Sequence, residues 1–130
     1  YEQVDDATLE TLRLSCGIVL APSEAEGFGH VLLDGLAWGG VVVTVDAPPM
    51  NELVQNDRGF LVSWTNATPC MLGTRYEIDK DELERTIQHI LDSDVSILAE
   101  RSGRALEWVW QNDRLFRERL STFLQQTIDR

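Results

Sequence analysis

Gly17-Ile18-Val19-Leu20-Ala21-Pro22-Ser23-Glu24-Ala25-Glu26-Gly27-Phe28-Gly29-His30 is the stretch from which the fold is read. Residues 17–21 form a short continuous apolar run, as expected of a strand buried on both faces. A tight loop follows. Residues 29–39 predict a helix with Val31, Leu32, Leu33 and Leu36 turned inward and Gly39-Gly40 at its end. A helix that starts near Gly29 aims free N–H groups and its positive dipole end into the space over the loop. The glycines flanking Phe28 let backbone approach a ligand closely. Glu26, and Asp34 eight residues further on, can accept hydrogen bonds from hydroxyl groups.

Outward from this stretch the pattern repeats. Residues 6–15 read as a short helix before it, with Leu9, Leu12 and Arg13 at helical spacing. After it, Val41-Val42-Val43-Thr44-Val45 is a second buried strand, β-branched throughout. Asp46-Ala47-Pro48-Pro49 is a turn, residues 50–55 a short helix, and Gly59-Phe60-Leu61-Val62-Ser63 a third strand. Strands that alternate with helices predict an α/β fold, a parallel sheet built from βαβ units with flanking helices. Right-handed crossovers then bring loop 22–29 and turn 46–49 to the same, carboxyl edge of the sheet, where open α/β sheets bind ligands.

Residues 64–78 show no clear period and read as an irregular excursion. Three helices are expected beyond them, at about 80–92, 94–111 and 113–129, making a helical C-terminal tail. The last carries Phe116, Leu120, Phe123 and Leu124 on one face, against Arg114, Arg117, Glu118 and Gln125. Trp108, Trp110 and the Phe116 stripe read as core or interface. Three parallel strands make a thin sheet, and the chain opens on Tyr1 rather than Met. Further strands upstream are therefore expected, and residues 1–130 read as one domain fragment.

A chain of 130 residues with 43% apolar content and four Trp can bury a core of its own. No stretch approaches a membrane span, and none reads as a signal peptide. The net charge of −11 argues against nucleic acid and against an anionic membrane surface as partners. It does not exclude a bound diphosphate, because a few N–H groups and arginines act locally. Cys16 and Cys70 fit neither a metal knuckle nor a disulfide framework. They are expected to be reduced and structural, which points to the cytoplasm. With His30 and His89 as the histidines, no metal site is expected.

Each candidate residue has a plain alternative. Gly27-Phe28-Gly29 could be an ordinary strand-to-helix turn. His30 and Asp34 are four apart, share a helix face and could pair; Asp34 could equally complement the helix dipole. Met50-Asn51-Glu52 could be helix capping or a second helix N-terminus converging on the ligand. Arg75 could be a cation at the pocket edge or a surface residue. The odd element is a carboxylate, Glu26, beside an anion site. It makes sense for a ligand that offers phosphates to the helix end and hydroxyls to the acid, as a nucleotide sugar does.

In order along the chain, Pro22-Ser23-Glu24-Ala25-Glu26-Gly27-Phe28-Gly29, Asp34, Ala37-Trp38-Gly39-Gly40-Val41-Val42-Val43 and Glu52-Leu53-Val54 resemble retaining glycosyltransferases of the GT-B fold, glycosyltransferase family 4 type. The likeness is to their carboxyl-terminal, donor-binding domain and covers nearly the whole chain. It implies a partial Rossmann-like domain that binds a nucleoside-diphosphate sugar, with no cofactor. Glu26 would hold donor-sugar hydroxyls. Gly27, Phe28, Gly29 and His30 would contact sugar and phosphates, and Asp34 would bind the ribose. Two positions depart from the family pattern: Asp34 stands where Glu is usual, one methylene shorter, and Val41 where Pro is usual. The family's diphosphate-binding Arg/Lys pair and its acceptor-binding amino-terminal domain have no counterpart in these residues. The resemblance thus implies a chain inactive alone, which meets its acceptor through another domain and could self-associate through exposed apolar surface. A non-catalytic nucleotide-binding module or an interaction domain is the alternative.

Overall fold

The apolar runs become a three-stranded parallel sheet in the computed structural model, which describes residues 4–128. Helix α1 (Asp6–Ser15) leads into strand β1 (Ile18–Leu20), helix α2 (His30–Ala37) and strand β2 (Val41–Val45). The four-residue α3 (Met50–Leu53) leads into β3 (Gly59–Val62). The strand order is β1-β2-β3, with Val19 beside Val42 and Val43 beside Phe60. Every residue of β2 is buried, because it is the central strand with both faces covered. Helix α2 covers the face that carries Val19 and Val42. On the other face lie Ile18 and Leu20, against Ile87 and Ile90 of α4 (Lys80–Asp92). The expected α/β architecture is the observed one.

Helix α2 ends as expected. Gly39 takes a positive φ of 75°, the Gly40 amide donates to the Gly35 carbonyl and the Gly39 amide to Leu36, a Schellman closure. Of its apolar residues, Leu32 and Leu36 are fully buried and Leu33 is half-buried, whereas Val31 faces solvent.

Besides Val31, which was expected to point inward, two expectations about whole elements need correction. Residues 64–78 are an antiparallel hairpin, β4 (Trp64–Cys70) and β5 (Gly73–Ile78). All of β4 is exposed, so it shows no inward–outward alternation to read. Its turn is Met71-Leu72, with Met71 at φ 51° in place of a turn-forming Asn or Gly. The tail after α4 is one helix, α5 (Val95–Ile128), not two; the expected end at residue 129 lies outside the described residues. Across the expected junction Asn112 and Asp113 face solvent, and the Asp113 carboxylate accepts from Arg117 one turn later at 2.7 Å.

Helix α5 closes the amino edge of the sheet. The Ser102 hydroxyl donates to the Gly39 carbonyl at 2.7 Å, and Arg101 donates to the Gly59 carbonyl at 2.7 Å while its guanidinium covers the Phe60 ring. Gly39 precedes β2 and Gly59 opens β3, so these contacts lie at the amino edge; further along, α5 passes the loop of the opposite edge, where Phe116 and Arg119 share a hollow with Phe28 and Asp34. No helix among the described residues is long and apolar enough to cross a membrane.

Candidate functional site

The carboxyl edge is built by three segments: loop 21–29 after β1, turn 46–49 after β2, and the hairpin after β3. The parallel register places the first two side by side, as the sequence predicts. A buried bond locks them together at the root. The Thr44 hydroxyl donates to the Ala21 carbonyl at 2.9 Å, and the Ala21 amide donates to Val43.

Gly29 begins helix α2 with φ 83° and ψ 41°, in the left-handed region that disfavours side chains. A methyl group there would also meet Leu53 at 2.8 Å and Leu32 at 3.2 Å. Glycine is therefore required by both conformation and packing. No side chain caps this helix. The first of its amides to find a backbone acceptor are Leu32 and Leu33, both on the Gly29 carbonyl. The amides of His30 and Val31 are left to receive an external acceptor, with the dipole adding to the attraction.

Glu26 is half-buried in the loop, and its carboxylate accepts from the Ser23 hydroxyl at 2.8 Å. One oxygen is fixed by that bond and the remaining lone pairs are available to hydroxyls. The Ser-x-x-Glu spacing was visible in the sequence as an i, i+3 pair, but Ser23 was not singled out. Gly27 has nothing within 4 Å of where a side chain would begin, so its backbone is open to a ligand. Phe28 is 61% exposed and its ring packs against His30, centroids 5.0 Å apart. That contact decides the fate of His30. Its ring packs at a tilt of 52° against Phe28, and no ion pair to Asp34 forms among the described residues. Asp34 is half-buried a turn further into α2 and lines the hollow between α1, β1 and α2, with Arg13 and Trp38.

The second helix start does not offer amides in the same way. In turn 46–49, which holds a cis bond between Pro48 and Pro49, the Asp46 and Ala47 amides donate to Val62 and Val45. Those of Asn51 and Glu52 donate to Ala47 and Pro49, and Asn51 also holds Asp46 through its side chain at 2.9 Å. Asn51 and Glu52 do not cap α3, which has no side-chain cap, but both their amides are already taken; at the start of α2 the first two amides are not.

Arg75 is drawn into the site's surroundings by the hairpin. Its Nε donates to the Glu24 carboxylate at 2.6 Å, and the Tyr76 amide donates to the Glu24 carbonyl at 2.7 Å. The carboxylate holds the guanidinium pKa above its ordinary value, first through that hydrogen bond and then through its charge. On the far side, the Trp64 indole donates to the Asp46 carbonyl at 3.2 Å and its ring packs on Tyr76. The hairpin therefore grips both edge loops. Glu24 and Arg75 stand 51 residues apart, and no local pattern links them.

Cys16 and Cys70 are both free thiols, but both are exposed and not built into the core as expected. Trp108 is half-buried beneath the Arg58 guanidinium, while Trp110 and Phe116 are largely exposed. The described residues bring no three His, Cys, Asp or Glu side chains together as a metal-holding group.

Comparison with known proteins adds the following. The family model described as "Glycosyl transferases group 1" matches residues 1–93. Among solved structures, the chain resembles Alr3699/HepE of Anabaena, solved in complex with UDP and glucose, with a TM-score of 0.62 and 24% identity. That match covers 85% of this chain but 29% of the Anabaena chain, so the residues described here span under a third of that structure. At this identity the likeness is one of fold. A search of curated proteins gave no match.

Proposed function

Since the chain belongs to the group 1 glycosyl transferases, we propose that it is the donor-binding part of a retaining, family 4 type enzyme of the GT-B fold. In the complete enzyme a sugar passes from a nucleoside diphosphate to an acceptor hydroxyl with its anomeric configuration kept. The observation that carries this reading is the uncapped start of α2 beside Glu26 at the carboxyl edge of a parallel sheet. The His30 and Val31 amides receive the diphosphate, where they stabilise the negative charge that builds as it leaves. Glu26, steadied by Ser23, accepts from sugar hydroxyls and is a positioning group, not a nucleophile. The open backbone at Gly27 and the exposed Phe28 ring border the sugar. Asp34 accepts from the ribose hydroxyls, with one methylene less reach than the usual Glu.

This chemistry asks for no metal or cofactor, provided basic residues from the rest of the enzyme share the diphosphate's charge. The acceptor is met through another domain, and residues 1–130 alone are inactive on this reading. A cytoplasmic location goes with it, in keeping with two free thiols. In the full-length enzyme, Glu26→Ala should lower turnover by at least about tenfold. Near-wild-type kinetics for that variant remove the central assignment. An interaction domain is the second reading, favoured by the exposed Phe116, Leu120, Phe123 and Leu124 of α5. It predicts that nucleotide leaves thermal stability unchanged.

A further inference from the structure

The hairpin gives the site something the motif residues lack. Among the described residues, the hydrogen bonds that reach loop 22–28 from another element come from β5 alone: Tyr76 to the Glu24 carbonyl and Arg75 to the Glu24 carboxylate. Otherwise the loop is held by its own short-range bonds, Ser23 to Ala21 and Ser23 to Glu26. It contains Gly27 and ends on Gly29, so little else restrains it. One residue, Ala25, separates the clamped Glu24 from Glu26. The clamp is also electrostatic. An unpaired Glu24 would stand as a second carboxylate near a helix end that receives an anion, and the Arg75 guanidinium cancels it.

We propose that Arg75 is a positioning residue. From the β4–β5 hairpin it fixes the loop that carries Glu26 and neutralises Glu24, so that sugar recognition depends on a strut outside the motif. The functional half of this inference rests on the donor-site reading above; the structural half does not. The strut adds little to global stability, because the Arg75 side chain is 60% exposed and such ion pairs are weak. Its effect is local, on the population of one loop conformation.

The test uses four forms of the chain: wild type, Arg75→Gln, Arg75→Lys and the exchanged pair Glu24→Arg/Arg75→Glu. Amide hydrogen exchange over residues 23–30 and dissociation constants for UDP-glucose and for UDP are read on each. Arg75→Gln should speed exchange in the loop by about tenfold while β2 is unchanged. It should also weaken UDP-glucose more than UDP, by a further factor of about five, because Glu26 meets only the sugar. The lysine variant should recover part of both effects and the exchanged pair most of them. Unchanged loop exchange in Arg75→Gln overturns the inference, and so does an equal loss for both ligands or an exchanged pair that restores neither effect. If Arg75→Gln shows the loop response while the wild-type chain binds neither ligand, the donor reading fails and the strut stands.

Discussion

Gly29 is the residue on which the site turns. Its φ of 83° and the 2.8 Å approach to Leu53 leave no room for a side chain. Gly29→Ala should cost about 1–3 kcal/mol of stability in a urea melt and turn the His30 and Val31 N–H donors away from the ligand space. A variant as stable as wild type would show that the left-handed turn is not needed. Thr44 acts one layer deeper. Thr44→Val keeps the volume but removes the bond to the Ala21 carbonyl, which retains the Ser23 amide as a partner. The expected loss is therefore small, about 1 kcal/mol in the same measurement; a loss several times larger would mean the two edge loops are coupled more strongly than this bond implies. At this scale the sequence was legible where a residue's conformation is announced by its type. Glycine at the loop–helix junction could be read directly. The partner of His30 could not, because helix spacing allows Asp34 while the chain also places Phe28 within reach, and only the ring's real position chooses.

Among elements, α2, β1, β2 and β3 were readable because burial on defined faces dictates their composition. The hairpin was not, since β4 buries nothing and its turn uses Met71-Leu72. Its partners, Glu24 and Asp46, lie far away in sequence, so the grip on the loops is a tertiary fact. Helix α1 gives a pH prediction. The Asp5 carboxylate accepts from the Thr8 amide, which holds its pKa below the ordinary value of 3.8. A folded value below the unfolded one stabilises the helix above pH 3.8 and loses that support as pH falls through the folded value. Acid should therefore unwind α1, seen by residue-resolved NMR, and Asp5→Ala should flatten that dependence; an unchanged acid response in the variant contradicts it. At α4 the Asp79 carboxylate caps the Glu82 amide at 3.0 Å. Asp79→Ala should cost about 1 kcal/mol in a thermal or urea melt, and no change would remove the cap from the account.

As a whole, the molecule has two unlike edges. Helix α5 seals the amino edge through Arg101 and Ser102. The carboxyl edge carries the uncapped helix, the acidic loop and the hairpin. This polarity was predictable from strand alternation, since parallel strands send all their forward loops to one side. What covers the remaining apolar surface was not. Leu20 at the sheet's edge is 53% exposed, and Leu120 and Phe123 on α5 are 43% and 63% exposed. That stripe predicts concentration-dependent self-association of the chain. Sedimentation should show it, and Leu120→Glu/Phe123→Glu should disperse it; a wild-type monomer at all concentrations contradicts the prediction.

On the proposed function, the start of α2, with Glu26 before it and Asp34 within it, is a nucleotide-sugar site. The most direct measurement is a titration of the isotope-labelled chain with UDP-glucose, followed by amide NMR shifts. The account predicts saturable shifts concentrated at residues 26–34, with the largest at His30 and Val31, and their loss in Glu26→Ala/Asp34→Ala. Saturation with shifts grouped elsewhere, or no shifts at all at millimolar ligand, would contradict it.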